Sequence, residues 1–255
     1  MNIDLGHKLA IVTGGSGQLG RVICRTLADC GADVVVNYHQ NEKQARQVCD
    51  EVRSRGRRSV AIQADVTDAA AILALRSQVL EQMGKAPDII VNNAVIQYVP
   101  WASVLDQDLA DYESQFKSCV LHNVLMAKTF VPAMIENGWG RVIGINTECA
   151  MQNFPGQSAY VSGKRGMDGV LRILAKEIGP QQITVNQVAP GWMISEDVPD
   201  TDDDNQRKYS ANVPLRRRGT DQDVANLVVF LASDLAAFIS GQYISVSGGN
   251  VMPAI

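Results

Sequence analysis

Seven short runs of apolar, mostly β-branched residues recur along the chain, and longer stretches with helical periodicity separate them. Such runs, bounded by polar or turn-forming residues, are typical of buried strands. Strands that alternate with helices pair in parallel, because parallel neighbours need a crossover connection. The pattern predicts an α/β fold: a single-domain, Rossmann-type, doubly wound parallel sheet of about seven strands with helices on both faces. The runs are LAIVT (9–13), DVVVNY (33–38), SVAIQA (59–64), DIIVNN (88–93), RVIGIN (141–146), ITVNQVA (183–189) and YISVSG (243–248).

Length and charge narrow the class of protein. With 255 residues the chain can bury a sizeable core, and we expect one domain over residues 1–255. The net charge of −4, and the lack of a basic cluster outside residues 216–218, argue against nucleic acid and favour a small-molecule or protein partner. The N-terminus does not resemble a signal peptide and no apolar run reaches membrane-spanning length, so we expect a soluble cytoplasmic protein without membrane contact.

The cysteines do not indicate a metal centre or a disulfide framework. They are odd in number and have no CxxC or metal-ligand spacing. We therefore expect buried free thiols, no disulfide and no metal site; the five residues are Cys24, Cys30, Cys49, Cys119 and Cys149.

One segment differs in composition from the rest. Residues 195–214 are polar, acidic and only weakly periodic, and they follow the sixth predicted strand. Such a segment is either a solvated loop or, because it leaves the carboxyl end of a parallel strand, a lid over a substrate. Both interpretations remain open, and we assign a candidate substrate loop to residues 192–214.

A glycine-rich turn, TGGSGQLG (13–20), joins the first predicted strand to a helical pattern. Gly14, Gly17 and Gly20 allow a tight turn and close backbone approach, while amides at the start of the helix can hold a pyrophosphate. The position after strand one favours a dinucleotide site.

The end of the second strand bears on the choice of dinucleotide. A carboxylate at this point would bind the adenosine ribose of NAD, but the sequence reads Asn37, Tyr38, His39, Gln40. Without a carboxylate there is no repulsion against a 2′-phosphate, which favours NADP(H) and leaves NAD(H) open.

Tyr160 and Lys164, in SAYVSGK (158–164), are four residues apart. On a helix this spacing places both side chains on one face. An ammonium near a phenol favours the phenolate, and so would make tyrosine a usable acid/base near neutral pH. The pair alone is also common on solvated helix faces, so the context decides between the two interpretations.

In context, the chain resembles the short-chain dehydrogenase/reductase family along nearly its whole length, and is most similar to small single-domain members such as the 3-oxoacyl carrier-protein reductases. The motifs that carry this resemblance fall in order: TGGSGQLG, DV (65–66), NNA (92–94), YVSGK (160–164) and PGW (190–192). The resemblance implies that Tyr160 is the catalytic acid/base, that Lys164 binds the nicotinamide ribose and lowers the tyrosine pKa, and that Thr147 polarises the substrate carbonyl. It implies a cofactor site made of Gly14, Ser16, Gly17, Gln18, Leu19, Gly20, Tyr38, Asp65, Val66, Asn93, Ala94, Tyr160, Lys164, Pro190, Gly191 and Ser195.

Several positions depart from the family pattern. Thr147 stands where serine is usual, and its hydroxyl can still donate to a carbonyl. Gap-free alignment places Cys119 at the asparagine that holds a relay water; Asn123, one helical turn further on, is a displaced substitute. Val95 replaces the glycine of NNAG, and Gln18 stands at the middle glycine of the commoner turn.

The sequence thus predicts an NADP(H)-preferring carbonyl reductase or alcohol dehydrogenase for a small molecule, acting as a homodimer or homotetramer. The family resemblance implies subunit contacts through the helices within residues 106–137 and 157–178 and through the C-terminal end. A second hypothesis is a weakly active or inactive relative that binds nucleotide or assembles with partners. Family analogy places the pocket walls at residues 96–98, 151–154, Trp192 and Met193, and the substrate itself stays open.

Overall fold

The computed structural model describes residues 3–96, 101–196, 201 and 203–252. Its main sheet has seven parallel strands in the order β3-β2-β1-β4-β5-β6-β9. All seven predicted runs form these strands, which confirms the doubly wound α/β fold. The strands are β1 Leu9–Val12, β2 Asp33–Tyr38, β3 Ser59–Gln63, β4 Ile89–Asn92, β5 Gly140–Ile145, β6 Ile183–Pro190 and β9 Tyr243–Val246, with a small separate pair, β7 Met193–Ile194 and β8 Gly219–Thr220.

Helices connect the strands and cover both faces of the sheet. Side chains of adjacent positions alternate between two buried apolar clusters, one on each face, as expected for strands buried on both sides. The helices are α1 Gln18–Asp29, α2 Glu42–Arg53, α3 Ala69–Met83, α4 Leu109–Gln115, α5 His122–Asn137, α6 Cys149–Gln152, α7 Ser158–Ile178, α8 Asp204–Asn212 and α9 Asp221–Ala232, with short 3-10 turns at Gly179–Gln181 and Asp234–Ala236.

Helices α4 and α5 are joined by a π-helical turn, Phe116–Leu121, into one continuous helical stretch. This stretch, Leu109–Asn137, is long and apolar enough by composition to cross a membrane, so the expectation that no stretch reaches that length is wrong. Half of its most apolar window is buried inside the protein, as in the core helix of a globular domain. The stretch packs against α7 and the sheet.

The segment of unusual composition contains a helix. Asp203 caps α8 by accepting hydrogen bonds from the backbone amides of Asn205 and Gln206, and Gln206 is buried. Residues 204–212 are therefore not an irregular loop, because the Asp203 side chain satisfies amides at the helix start. Residues 197–200 and 202 of the candidate substrate loop lie outside the described part of the chain.

The sheet order places the first break in strand sequence between β1 and β4. In open α/β sheets, ligands bind in the crevice at such a point, beyond the carboxyl ends of the strands. The glycine turn after β1 and the NNA motif after β4 flank this crevice.

Candidate active site

A cavity of about 1010 Å³ opens at the carboxyl ends of the strands, beside the break between β1 and β4. It brings together nearly all the residues that the sequence predicts for the cofactor and the chemistry. Those lining it are Gly14, Ser16, Gly17, Gln18, Leu19, Gly20, Asp65, Val66, Asn93, Ala94, Thr147, Tyr160, Lys164, Pro190, Gly191 and Ser195.

The glycine turn leaves the start of α1 open to the cavity. Gly14 has φ +61°, in the left-handed region that glycine adopts without strain. A Cβ on Gly20 would lie 2.2 Å from the Gly14 carbonyl oxygen, so the turn needs glycine there as well. Helix α1 begins at Gln18 with no side-chain cap and no acidic residue in its first turn. Its free N–H groups and positive dipole end therefore suit a pyrophosphate.

The end of β2 differs from the prediction in one residue. Tyr38, predicted for the cofactor site, packs in the core cluster with residues of α1 and α2 and is not among the residues that line the cavity. Side chains along a strand alternate between faces. Asn37, His39, Gln40 and Asn41 line the cavity at this end instead.

Asp65 is the carboxylate nearest this end of the cavity. Burial acts to raise its pKa, but hydrogen bonds from the Thr67 backbone and hydroxyl, with a contribution from His39, lower the pKa overall. Asp65 is therefore ionised at neutral pH, and its Oδ2 lies 4.0 Å from His39 Nε2.

The loop after β4 is tied to the glycine turn. The Thr13 hydroxyl accepts hydrogen bonds from the backbone amides of Asn93 and Ala94, and Asn93 Nδ2 donates to the Thr13 and Gly14 carbonyls. Val95, where the family has glycine, lines the cavity while packing against the core cluster on the α5 side. The Val95 side chain is thus partly packed in the core.

Thr147 and Tyr160 lie together in the cavity. Thr147 follows β5, and Tyr160 lies in the first turn of α7, where the Thr147 hydroxyl hydrogen-bonds to the phenol. Burial is the largest influence on the tyrosine and raises its pKa well above the ordinary value, while Thr147 acts in the opposite direction. The phenol is therefore a protonated donor at neutral pH. The lowering of this pKa by Lys164, which the family resemblance implies, is not seen in this arrangement.

Lys164 occupies the next turn of the same helix face, as its spacing predicts. Its Nζ lies 5.8 Å from the centroid of the Tyr160 ring and donates to the Ile145 carbonyl at 2.6 Å. Burial lowers the pKa of Lys164. Gly163 brings α7 unusually close to α4, because a Cβ there would lie 2.9 Å from the Gln115 carbonyl oxygen.

The two residues considered for the relay water are both engaged elsewhere. Cys119 lies in the π-helical turn, 1% exposed, and its thiol donates to Gln115 Oε1 at 3.8 Å. Asn123 accepts from Asn92 Nδ2 and donates to the Cys119 carbonyl, each at 2.7 Å. These two bonds orient the Asn123 side chain towards Asn92 and the Cys119 carbonyl, with one amide hydrogen and one oxygen lone pair remaining.

Sequence reasoning missed a second polar cluster behind Thr147. Glu148 is 3% exposed, its Oε1 accepts from the Tyr209 hydroxyl at 2.7 Å, and its Oε2 accepts from Asn250 Nδ2 at 3.0 Å. The Tyr209 oxygen also accepts from the Trp192 backbone amide at 2.8 Å. A carboxylate directly after the predicted catalytic threonine is the one signal that could have indicated this cluster, which ties α8 and the C-terminal segment to the site.

The residues predicted as walls of a substrate pocket are only partly brought together at the cavity. Ile96, Trp192 and Met193 line the cavity, whereas residues 151–154 do not; residues 97–98 lie outside the described chain. Trp101, which was not predicted, lies nearly parallel to Tyr160 with ring centroids 6.5 Å apart. The region around the phenol is therefore mainly apolar.

These residues fit a nicotinamide dinucleotide. The uncapped start of α1, the close glycine contacts and the elongated cavity provide an anion site and room for a nucleotide. The glycine turn and α1 would hold the pyrophosphate, Asp65 and Val66 would contact the adenine, and Tyr160 and Lys164 would contact the nicotinamide ribose.

Comparisons with known proteins agree with this geometry. A family model described as enoyl-(acyl carrier protein) reductase matches residues 16–250. The chain is 36% identical over 254 residues to the 3-oxoacyl-acyl-carrier-protein reductase FabG of Staphylococcus aureus, covering 96% of this chain and 98% of the relative. It is 32% identical over 251 residues to the 7alpha-hydroxysteroid dehydrogenase of Escherichia coli, covering 98% and 96%.

Solved structures show the same fold. A 7 alpha-hydroxysteroid dehydrogenase in complex with NADH and 7-oxo glycochenodeoxycholic acid superposes with a TM-score of 0.90 at 31% identity, covering 99% of this chain and 97% of that one. A putative gluconate dehydrogenase from Agrobacterium tumefaciens has a TM-score of 0.91 at 26% identity, with full coverage of both chains. The chain belongs to the short-chain dehydrogenase/reductase family and is a nicotinamide-dependent oxidoreductase acting on CH–OH groups.

Proposed function

We propose that the protein transfers hydride between NADP(H) and the carbonyl or secondary alcohol of a small molecule, with Tyr160 as acid/base. The observation that carries this proposal is the meeting of Thr147, Tyr160 and Lys164 in one cavity that also contains the open start of α1. A phenol, a hydroxyl and an ammonium so placed can orient a carbonyl and supply its proton.

In this mechanism the bound nicotinamide supplies or accepts the hydride. The Thr147 hydroxyl donates to the substrate oxygen and polarises the carbonyl. The Tyr160 hydroxyl gives its proton to that oxygen during reduction and takes it back during oxidation. Lys164 holds the ribose, and the phenolate that each reduction leaves behind takes up a proton from solvent.

Three neutral or weakly basic side chains support the preference for NADP(H). Asn37, His39 and Gln40 line the cavity at the end of β2, and β2 itself places no carboxylate there to repel a 2′-phosphate. Titration of NADPH and NADH by nucleotide fluorescence is expected to give the lower Kd for NADPH. A lower Kd for NADH would reverse the assignment.

The substrate is proposed to present an apolar body beside its carbonyl. Ile96, Trp192 and Met193 line the cavity, and Trp101 lies beside the Tyr160 ring. Because two relatives are named for 3-oxoacyl and 7alpha-hydroxysteroid substrates, ketoacyl thioesters and steroids are the first compounds to examine. Sugars and polyols are the polar compounds for comparison.

The decisive experiment is a screen of ketones and alcohols that follows NADPH absorbance. Tyr160→Phe is the blank, because it keeps the ring and removes the proton donor. Tyr38→Phe is the matched control, since it removes the hydroxyl of a buried tyrosine outside the cavity. We expect turnover in the wild type and in Tyr38→Phe, and loss of at least about 10²-fold in Tyr160→Phe.

The competing function is nucleotide binding without turnover, which the departures at Cys119 and Val95 motivate. Nucleotide-induced thermal stabilisation without Tyr160-dependent turnover of any compound would favour it. We also propose that the enzyme is cytoplasmic and acts as a homodimer or homotetramer.

A further inference from the structure

His122 is a buried ionisable group that the proposed mechanism does not use. It begins α5, directly after the π-helical turn, and is 1% exposed. Its Nδ1 lies 3.2 Å from the Ser118 carbonyl oxygen. Because a carbonyl only accepts, Nδ1 must carry the hydrogen of the neutral ring, and Nε2 is left as an unprotonated acceptor.

Nothing in the described chain donates to that acceptor. Nε2 is buried and has no hydrogen-bond partner among the residues described. The Ala94 backbone lies close enough to the imidazole to favour its protonated form, as an acceptor does, and the Ala94 amide itself already donates to Thr13. The imidazole Nε2 and the Ala94 carbonyl are thus two acceptors near one ring, and a donor between them would satisfy both.

The ring stays neutral in this environment. Burial lowers the pKa of His122 to about 4, and the nearby Lys164 ammonium lowers it further, while Ser118 and Ala94 act in the opposite direction. Lys164, from α7, is the charged group acting on the imidazole. At pH 7 the His122 ring near the Lys164 ammonium is therefore a neutral acceptor and not a second cation.

A further buried acceptor lies on the neighbouring strand. Asn92 Oδ1 also lacks a partner among the described residues, while the Asn92 amide nitrogen donates to Asn123, the residue next to His122. Lys164 has three N–H donors and uses one for the Ile145 carbonyl. Buried acceptors without a protein partner, such as His122 Nε2, are the groups that internal waters satisfy.

We propose that His122 Nε2 holds a buried water beside Lys164, in place of the water that an asparagine at position 119 would hold. His122 is a positioning residue: it accepts one hydrogen bond from the water, the Ala94 carbonyl accepts the other, and the water oxygen accepts from Lys164. This inference rests on the proposed function, because the water matters only if Lys164 and Tyr160 must exchange protons with solvent.

Two substitutions separate this role from a purely structural one. Asn at position 122 can reproduce the Nδ1–H donor to Ser118 but has no group at the Nε2 position, whereas Gln can reach the Nε2 position with an acceptor. We expect His122→Asn to lower kcat about 10-fold or more and to raise the solvent deuterium isotope effect, with the nucleotide Kd unchanged. His122→Gln is expected to retain most of the turnover, and His7→Asn, an exposed histidine, is the matched control.

The opposite order would overturn the proposal. If His122→Asn keeps full turnover and His122→Gln loses it, the residue acts through Ser118 alone; if both match the wild type, it has no role. If neither variant folds, ¹⁵N NMR of the histidines in the wild type still tests the proposal, because it reports which ring nitrogen of His122 is protonated. The proposal requires Nδ1–H with a hydrogen-bonded Nε2 acceptor, and a protonated Nε2 at pH 7 contradicts it. If the wild type reduces no carbonyl compound, the proposed function fails, while the NMR result on the water site stands independently.

Discussion

At the residue scale, the chemistry depends on how Thr147 presents its hydroxyl. The hydroxyl contacts Tyr160 and accepts from the Cys149 amide at 3.2 Å, while the Tyr243 hydroxyl donates to the Thr147 carbonyl. These contacts fix the residue at both its backbone and its side chain. The methyl group that distinguishes it from serine further restricts the side-chain rotamer.

Thr147→Val tests this hydroxyl with little change in shape. Valine keeps the β-branched form and removes the donor to the substrate oxygen. We expect kcat/KM for reduction to fall about 10²- to 10³-fold, as for loss of one oxyanion donor, with nucleotide Kd unchanged. Thr147→Ser is the control and should retain turnover within about 10-fold of the wild type. Equal activity of the valine and serine variants would contradict the assigned role.

His122 also affects stability in acid. Its pKa is about 4 in the folded protein, lowered from the ordinary value of 6.5. Below pH 6.5 the folded protein therefore binds fewer protons than the unfolded chain. The stability that the neutral ring contributes is fully present above about pH 6.5 and is lost as the pH falls towards 4. Over that interval the unfolding free energy should fall by roughly 3 kcal/mol more in the wild type than in His122→Gln.

Denaturant titrations between pH 4 and 7 measure this difference. The difference in unfolding free energy between the wild type and His122→Gln at each pH isolates the contribution of the buried ring. A parallel fall of stability in wild type and His122→Gln would mean that the ring does not stay neutral when folded.

Helix spacing predicted that Tyr160 and Lys164 share one face, and the family resemblance pointed to Thr147; all three line the cavity. The sequence did not predict Glu148 or His122, because their importance comes from partners far along the chain: Tyr209 and Asn250 for the carboxylate, Ala94 and Lys164 for the imidazole. Tyr38 packs in the core rather than in the cavity lining, since a motif gives a position along a strand but strand alternation decides the face. Such long-range contacts have no local signature.

At the element scale, the turn between β1 and α1 is the most constrained connection at the site. Gly20→Ala would bring a Cβ to 2.2 Å from the Gly14 carbonyl oxygen, so the turn must shift and the amides at the start of α1 move with it. We expect nucleotide affinity to fall at least about 10-fold, which corresponds to about 1.4 kcal/mol. Isothermal titration measures the affinity.

Gly169→Ala in α7 is the matched control. A Cβ there meets nothing within 4 Å, and alanine favours a helix interior by about 0.5 to 1 kcal/mol over glycine. This variant should be slightly more stable and bind nucleotide normally. Unchanged affinity in Gly20→Ala would show that the turn does not carry the pyrophosphate.

Helix α8 shows where sequence patterning reached its limit for an element. The acidic, weakly periodic sequence of residues 195–214 did not decide between a solvated loop and a substrate lid. The helix α8 there is stabilised by the Asp203 cap and by the hydrogen bond from Tyr209 to Glu148. Burial raises the pKa of Tyr209, as Glu148 also does, so the phenol remains a donor to the carboxylate at neutral pH. Helix α8 is thereby held next to the site.

Tyr209→Phe tests the attachment of α8. The change removes a hydrogen bond to a buried carboxylate, worth about 1.5 to 3 kcal/mol. We expect lower thermal stability, faster proteolysis within residues 195–214 and a raised KM for substrate, with nucleotide Kd unaffected. Tyr38→Phe supplies the control for loss of a tyrosine hydroxyl. A KM equal to that of the wild type would mean that α8 does not shape the substrate site.

At the scale of the whole molecule, strand order alone gathers residues from the entire chain at one edge. The parallel sheet places the ends of β1, β4, β5 and β6 side by side, so motifs separated by more than a hundred residues share one cavity. This juxtaposition was predictable because strand type and alternation with helices fix a parallel sheet. Subunit association is less predictable, since an apolar helix can face either its own core or a partner.

The outer surface of the helical stretch Leu109–Asn137 is where we predict that subunits associate. Leu109 is 77% exposed and Phe116 is 52% exposed, and further exposed apolar side chains on this stretch are Leu121 and Ile135. The C-terminal end is less clearly an interface, because Asn250 bonds to Glu148 of the same chain and residues 253–255 lie outside the described part. The helical stretch is therefore the surface to test.

Light scattering at micromolar concentration should find a dimer or tetramer in the wild type. Leu109→Glu combined with Phe116→Glu should shift it to smaller species, because each change removes about 1.5 to 3 kcal/mol of apolar burial and adds a carboxylate that association must desolvate. Leu73→Glu on α3, also an exposed leucine, is the matched control and should leave the assembly intact. Circular dichroism confirms that each variant is folded. A monomeric wild type would refute association altogether, whereas an intact oligomer of the folded double variant would move the interface away from this helical stretch.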